Sequence, residues 1–177
     1  DISSEHLRDS ARDIARDYPQ MQVEAVCADY SDGLQLPELP LDAERAAFFP
    51  GSSIGNFEPA AAVDLLRDVG QDLGPGGALL IAVDLKKDRR QLAAAHNDSR
   101  QITAAFNLNL LTRINRETDA DFDTEQFEHR AFYNEAEGRI EMHLVSTCPQ
   151  EVRVDGRRFA FRAGESIHTE KSYKYSL

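Results

Sequence analysis

The segment Ala78-Leu79-Leu80-Ile81-Ala82-Val83 constrains the fold more than any other, because it is uninterrupted apolar sequence between a glycine–proline turn and Asp84. A run without polar alternation has both faces buried, as in a central strand of a parallel sheet covered by helices. The residues before it fit that frame. Ser3 or Ser4 stands ready to cap a helix of about four turns that carries Leu7, Ile14 and Tyr18 and ends before Pro19. Val23 to Ala28 and Arg45 to Phe49 are short β-prone runs that close on Asp29-Tyr30 and Pro50-Gly51. Ala60 to Leu73 places Ala62, Leu65, Leu66 and Val69 on one helical face, and Gly74-Pro75-Gly76-Gly77 ends it. Helix, strand, strand, helix, strand predicts an α/β lobe in which ligands meet the carboxyl ends of strands. Asp1, Asp29-Tyr30 and the Gly51-to-Asn56 loop occupy such ends.

The second half has a different rhythm. Gln91 to Asn115 is predicted to be mainly helical, with a break around Asn97-Asp98. Phe127 to Tyr133 and Arg139 to Val145 read as strands joined by a turn ending at Gly138. Val152 to Val154 and Arg158 to Phe161 read as a second hairpin around Asp155-Gly156. Tyr173 and Tyr175 alternate with Ser172 and Lys174, as in a half-buried strand. A composition shift near Lys86 divides the chain into lobes at 1–85 and 86–177.

Charge and cysteine content narrow the function classes. With 31 acidic against 20 basic residues the net charge is −11, and the basic residues are scattered. Phosphate contacts need clustered Lys and Arg, so nucleic acid is not an expected partner. No apolar run approaches the roughly 18 residues of a membrane span, and the opening DISSEHLRDS is too polar for a secretory signal. Cys27 and Cys148 lack CxxC spacing, which argues against a disulfide framework or zinc site and for a reducing cytoplasm. His129, His143 and His168 lie in strand-like segments without ligand spacing, so structural roles are expected and no metal is.

Two places carry chemistry suited to a small molecule. An acidic residue at a strand end can accept both ribose hydroxyls of a nucleoside cofactor, a role open to Asp1. Asp29 is placed to contact adenine, with Tyr30 offering a ring face; read without a cofactor, Asp1 caps a helix and Asp29 begins a turn. No GxGxxG loop is present. In Phe49 to Phe57, glycines expose N–H groups, serines add hydroxyls, and Asn56 offers a donor and an acceptor. That set suits a zwitterion such as an amino acid backbone, and equally a glycine-rich turn before a helix.

The stretches FFPGSSIGNFEP, VDLKKD, ITAAFNLNLLTRINRETDADFD, FEHRAFYNEAEGRIEMHLVS and AGESIHTEKSYKY together resemble the histidine-specific methyltransferase family. That family includes the ergothioneine-pathway enzyme that makes trimethylhistidine and the methyltransferase part of ovothiol synthases. Leu73 to Gly77 followed by Ala78 to Ile81 likewise resembles the helix-to-strand joint of class I methyltransferases. The similarity runs through nearly the whole chain. It implies a Rossmann-like class I methyltransferase lobe over 1–85, incomplete at its N-terminus, and a second α+β substrate-binding lobe over 86–177.

The activity implied is S-adenosylmethionine-dependent methylation of the α-amino group of L-histidine. Asp1 would then bind the cofactor ribose, and Asp29 with Tyr30 would frame the adenine. Gly51 and Asn56 would hold the α-amino and carboxylate groups, Glu170 and Ser172 would hydrogen-bond the imidazole, and Met142 would line its pocket. Family members often have tyrosine at the position of His96, where its hydroxyl resembles a carboxylate anchor; His96 is a donor of shorter reach. The family also extends before Asp1 and after Tyr175, so the chain is expected to be part of a longer one. The competing expectations are a methyltransferase for another amino acid or amine, and a non-catalytic ligand-binding module. No residue in these motifs is an evident general base.

Overall fold

Helix α1 (Ser4–Asp17) starts at Ser3, whose Oγ accepts the His6 N–H at 3.4 Å. Glu5 in its first turn and Arg16 in its last suit the helix dipole, and the Tyr18 N–H closes it on the Ile14 carbonyl at 2.8 Å. The computed structural model describes residues 2–30 and 43–176; Asp1, and with it the expected ribose contact, lies outside them.

Strands β1 (Ala46–Phe49) and β2 (Ala78–Ile81) pair with each other. The Ala78 N–H reaches the Arg45 carbonyl at 3.0 Å and the Ala82 N–H reaches the Phe49 carbonyl at 3.0 Å. Both strands advance in the same sense along these bonds, as parallel strands do. Helix α2 (Pro59–Leu73) is the crossover between them, with proline at its first position, where a missing N–H costs nothing. The apolar run is thus a parallel strand, two residues shorter than Val83 suggested. Its burial is lower than such a run implies, with Phe48 70% and Leu80 67% exposed. One crossover helix covers at most one face of a sheet. Val23 to Ala28, expected as a strand, forms none among the described residues. β-propensity measures fit to a neighbouring strand, and here β1 and β2 take each other.

By packing, the chain divides into two compact units, Asp1–Phe48 with Ala60–Leu80 and Phe49–Pro59 with Ile81–Leu177. The loop bearing Gly51 and Asn56 therefore belongs with the C-terminal elements. These are helices α3 (Arg89–His96) and α4 (Ile102–Thr118), then strands β3 (Phe127–Asn134), β4 (Arg139–Ser146), β5 (Gln150–Val154), β6 (Arg157–Phe161) and β7 (Ser166–Tyr173). β3, β4 and β7 form an antiparallel sheet with β4 in the centre, and β5 and β6 form a separate hairpin. The fold is mixed α/β, and no helix among the described residues is long and apolar enough to cross a membrane.

The core of the second unit follows from strand alternation. Ile140, Met142, Leu144 and Ser146 are buried at every second position of β4. Leu111 of α4 closes on Phe127 and Leu144, with Leu108, Phe122, Phe161 and Ile167 packed around them. Phe127 meets Phe122 and Phe161 edge-on at 5.8 and 5.5 Å. Asn107 is buried in α4 and donates to the His143 carbonyl at 3.2 Å. His129 has a structural role of the same kind: its Nε2–H donates to the His96 carbonyl at 2.9 Å, and Nδ1 takes the Asn107 amide at 3.0 Å.

The break between α3 and α4 spans residues 97–101, and Asp98 within it reaches the first N–H groups of α4. Its carboxylate accepts the Thr103 and Ile102 N–H groups at 2.8 and 3.0 Å. Those backbone bonds, Thr103 first, hold its pKa down to about 2. Because the folded value is depressed, the stabilisation is complete above the usual Asp pKa near ~3.9 and is lost as pH falls from there toward about 2. Asp98→Asn keeps a capping oxygen but cannot titrate. Its melting temperature is expected to fall less than that of the wild type between pH 5 and pH 2.5, two buffer settings about either side of the usual value. Parallel declines would show that this cap does not carry the acid sensitivity.

Candidate functional site

The register of β4 and β7 decides which side chains can act together. Met142 pairs with Glu170 and Ile140 with Ser172, whereas Glu141 pairs with Lys171, Arg139 with Tyr173 and His143 with His168. The register shifts between Met142 and His143, so β7 spends one extra residue there. Paired residues share a face and successive ones alternate. One face therefore carries Met142, Glu170 and Ser172, three of the residues that the resemblance assigns to the imidazole end of the substrate. The other carries Arg139, Glu141, His143, His168, Lys171 and Tyr173, a charged and aromatic set to which the resemblance assigns no role and in which His143, His168 and Tyr173 were expected to be structural.

The loop before α2 docks on β7 through a short 3-10 helix, Ser53–Asn56. Gly51 has φ +76°, in the left-handed region that favours glycine, and Ser52 follows at φ 58°. Gly55 sits so close to β7 that an added Cβ would lie 2.8 Å from the Tyr173 carbonyl oxygen and 3.3 Å from Ser172 Oγ. The Tyr175 hydroxyl donates to the Ile54 carbonyl at 3.4 Å. With the loop so held, Asn56, His168, Thr169, Glu170 and Lys171 line one open depression of about 240 Å³. Asn56 and Glu170, proposed from sequence for opposite ends of an amino acid, thus border the same space. The Glu170 carboxylate makes no hydrogen bond or ion pair among the described residues. Met142 is 3% exposed directly across from it. Ser172 Oγ accepts the buried Lys174 ammonium at 2.8 Å, and Lys174 also pairs with Asp84 at 3.0 Å. Asp84 lies below the usual carboxylate range, held there first by Lys87 and then, against partial burial, by Lys174.

Glu58 fastens the same loop from the other side of β7. Its carboxylate takes the Lys171 ammonium and accepts the Tyr173 hydroxyl at 2.6 Å. Arg139 donates to the Tyr173 oxygen at 2.6 Å and stands 3.7 Å from Glu58. Lys171 above all, and then Tyr173, hold the Glu58 carboxyl below its ordinary value. Arg139 also pairs with the buried Glu141 at 2.8 Å. Burial alone would raise the Glu141 pKa, but Arg139, His143 and Asn134 hold it at about 2.

The other assigned residues are not among those that line the depression. Asp29 and Tyr30 are exposed in the first unit. His96 ends α3 with Nδ1 against the Leu92 carbonyl at 3.2 Å, so its ring is turned onto its own helix; it does not line the Asn56–Glu170 depression.

Among the described residues, Glu141, His143 and His168 each bring a donor atom within 4.8 Å of the other two. The two imidazoles stack at 4.6 Å between centroids and 8° between planes, with Phe132 stacked beyond His143 at 5.4 Å. Nitrogen lone pairs lie in the ring plane, so parallel stacked rings cannot both aim at one ion, and the geometry is that of packing. His168 Nε2–H donates to the Glu170 carbonyl at 3.0 Å, which ties the stack to the strand that lines the depression.

Against known proteins, the family model described as histidine-specific methyltransferase, SAM-dependent, matches residues 1–177. The histidine N-alpha-methyltransferase of Mycolicibacterium smegmatis is 40% identical over 177 residues, covering 99% of this chain and 54% of that protein. The protein of the same name from Mycobacterium tuberculosis is also 40% identical, with the same shares of each chain. Ergothioneine biosynthesis protein 1 of Neurospora crassa is 30% identical over 182 residues, 99% of this chain and 20% of that one. The chain spans about half the length of the two mycobacterial relatives it matches. A match over every residue settles the question of kinship: the chain belongs to the family of SAM-dependent, histidine-specific methyltransferases.

Proposed function

We propose that the protein to which this chain belongs is a methyltransferase that uses S-adenosylmethionine to methylate the α-amino group of L-histidine. The observation that carries this reading is the depression bordered by both Asn56 and Glu170, with Met142 paired across the sheet from Glu170. An amide and the turn at Gly51 suit the charged backbone of an amino acid. A carboxylate with no hydrogen-bond partner among the described residues suits an imidazole N–H, and leaving it unpaired against a substrate without a donor is costly. Ser172 on the same face offers a hydroxyl to the ring.

Relatives named histidine N-alpha-methyltransferase, at 40% identity, support the substrate, and the family description supports the cofactor. The described residues fit that cofactor in their chemistry, since Asp29 provides an acceptor and Tyr30 a partly exposed ring for a purine. When bound, S-adenosylmethionine supplies the methyl group from its sulfonium. What this chain contributes is position: Asn56 and Gly51 orient the amine, and Glu170 with Ser172 fix the ring at the other end. The reading takes 1–85 as a Rossmann-like cofactor lobe and 86–177 as the substrate lobe. The free Cys27 and Cys148 suit a reducing compartment such as the cytoplasm.

The test is mass spectrometry of the full-length protein incubated with S-adenosylmethionine and a panel of amino acids. Histidine carrying methyl groups on its α-nitrogen is the expected product. Methylation on the ring, or preferential turnover of tryptophan or an aliphatic amine, would replace this reading with that of a different N-methyltransferase.

A further inference from the structure

Glu58 ties the loop that carries Asn56 to the strand that carries Glu170, without lining the depression that they border. It follows Asn56 by two residues, and its carboxylate is bound to Lys171 and Tyr173, which flank Ser172 and follow Glu170 on β7. Arg139, from the central strand, closes the set by donating to the Tyr173 hydroxyl at 2.6 Å. On the opposite face Gly55 leaves no room for a Cβ against the Tyr173 backbone. The edge strand is thus gripped from both sides, by close packing at Gly55 and by charge at Glu58. We infer that Glu58 is a positioning residue for substrate recognition, setting the distance between the Asn56 loop and the imidazole-reading strand through Lys171 and Tyr173. The inference rests on the functional reading above and adds to it how the site measures its substrate.

Such a device has a signature that a merely stabilising contact lacks. A fixed spacing matters only while both ends of the substrate are held. Once Glu170 is removed, the imidazole end is no longer read and the spacing loses its effect. Glu58→Ala and Glu170→Ala should therefore be strongly non-additive toward histidine, although Glu58 bonds Lys171 and Tyr173 and not Glu170.

The experiment is a double-mutant cycle on the full-length protein, reading kcat and KM for histidine separately, with Tyr173→Phe as a second variant that cuts the same link and keeps the ring. Glu58→Ala is expected to lower kcat/KM roughly tenfold, chiefly through KM, and Tyr173→Phe to act in the same direction. In the Glu170→Ala background the same Glu58 substitution is expected to cost about threefold or less. Equal losses in both backgrounds, or a loss tracking melting temperature in both variants, would overturn the inference and leave the functional reading standing. A wild-type protein that leaves histidine unmethylated would overturn both.

Discussion

Glu170→Ala in the full-length protein is expected to lower kcat/KM for histidine by roughly tenfold to over a hundredfold, the equivalent of about 1.5–3 kcal/mol for a charged hydrogen-bond partner. The substitution removes the acceptor that faces the depression and leaves Asn56 and Gly51 to hold the amino acid backbone. Phenylalanine and tryptophan should lose little or gain, because no carboxylate is then stranded against an apolar ring. The measurement is kcat/KM for all three amino acids with wild type and variant. If histidine falls no further than the other two, Glu170 does not read imidazole.

What the sequence revealed and what it hid divide along a physical line. Local signals were legible because their causes are local. Ser3 or Ser4 marked the start of α1, where Ser3 is the cap; Gly74-Pro75 marked the end of α2, Asn97-Asp98 the break between two helices, and Asp155-Gly156 the β5–β6 turn. Of the residues that line the depression, Glu170 was legible only through family resemblance, since nothing in its spacing from Asn56 says that the two meet, and His168, Thr169 and Lys171 were not assigned to it. Register sets Met142 opposite Glu170 and the docking of the Ser53–Asn56 turn on β7 brings Asn56 beside it, and both are long-range properties. The shift between Met142 and His143 has no residue signature, yet it is what puts His168 and Lys171 on one face. Glu58 was passed over for the same reason, as its partners lie 113 and 115 residues downstream. The apolar run at β2 misled in the other direction: it correctly signalled a parallel strand, but Leu80 is 67% exposed because burial depends on what packs above it.

The pair Arg139–Glu141 should give the largest stability effect of any ion pair among the described residues, and the reason is burial rather than charge. The side chains are 15% and 9% exposed, against 63% and 45% for Arg113–Glu117 on α4. Arg139→Ala leaves Glu141 ionised in the sheet with only Asn134 at 3.1 Å and His143 at 3.3 Å to compensate it. Stranding a buried charge costs about 3–5 kcal/mol, whereas breaking an exposed pair costs about 0–1 kcal/mol. Arg113→Ala is therefore the control, expected to shift the unfolding midpoint little. The double variant Arg139→Met with Glu141→Leu removes both charges and fills comparable volume, so most of the lost stability should return. Its histidine turnover should stay low all the same, because Tyr173 has lost the donor that holds its hydroxyl beside Glu58. Urea unfolding of the four proteins, read with kcat/KM for histidine, separates the two effects. A double variant as unstable as Arg139→Ala would mean that the cost arises from lost packing of the arginine stem and not from the stranded carboxylate.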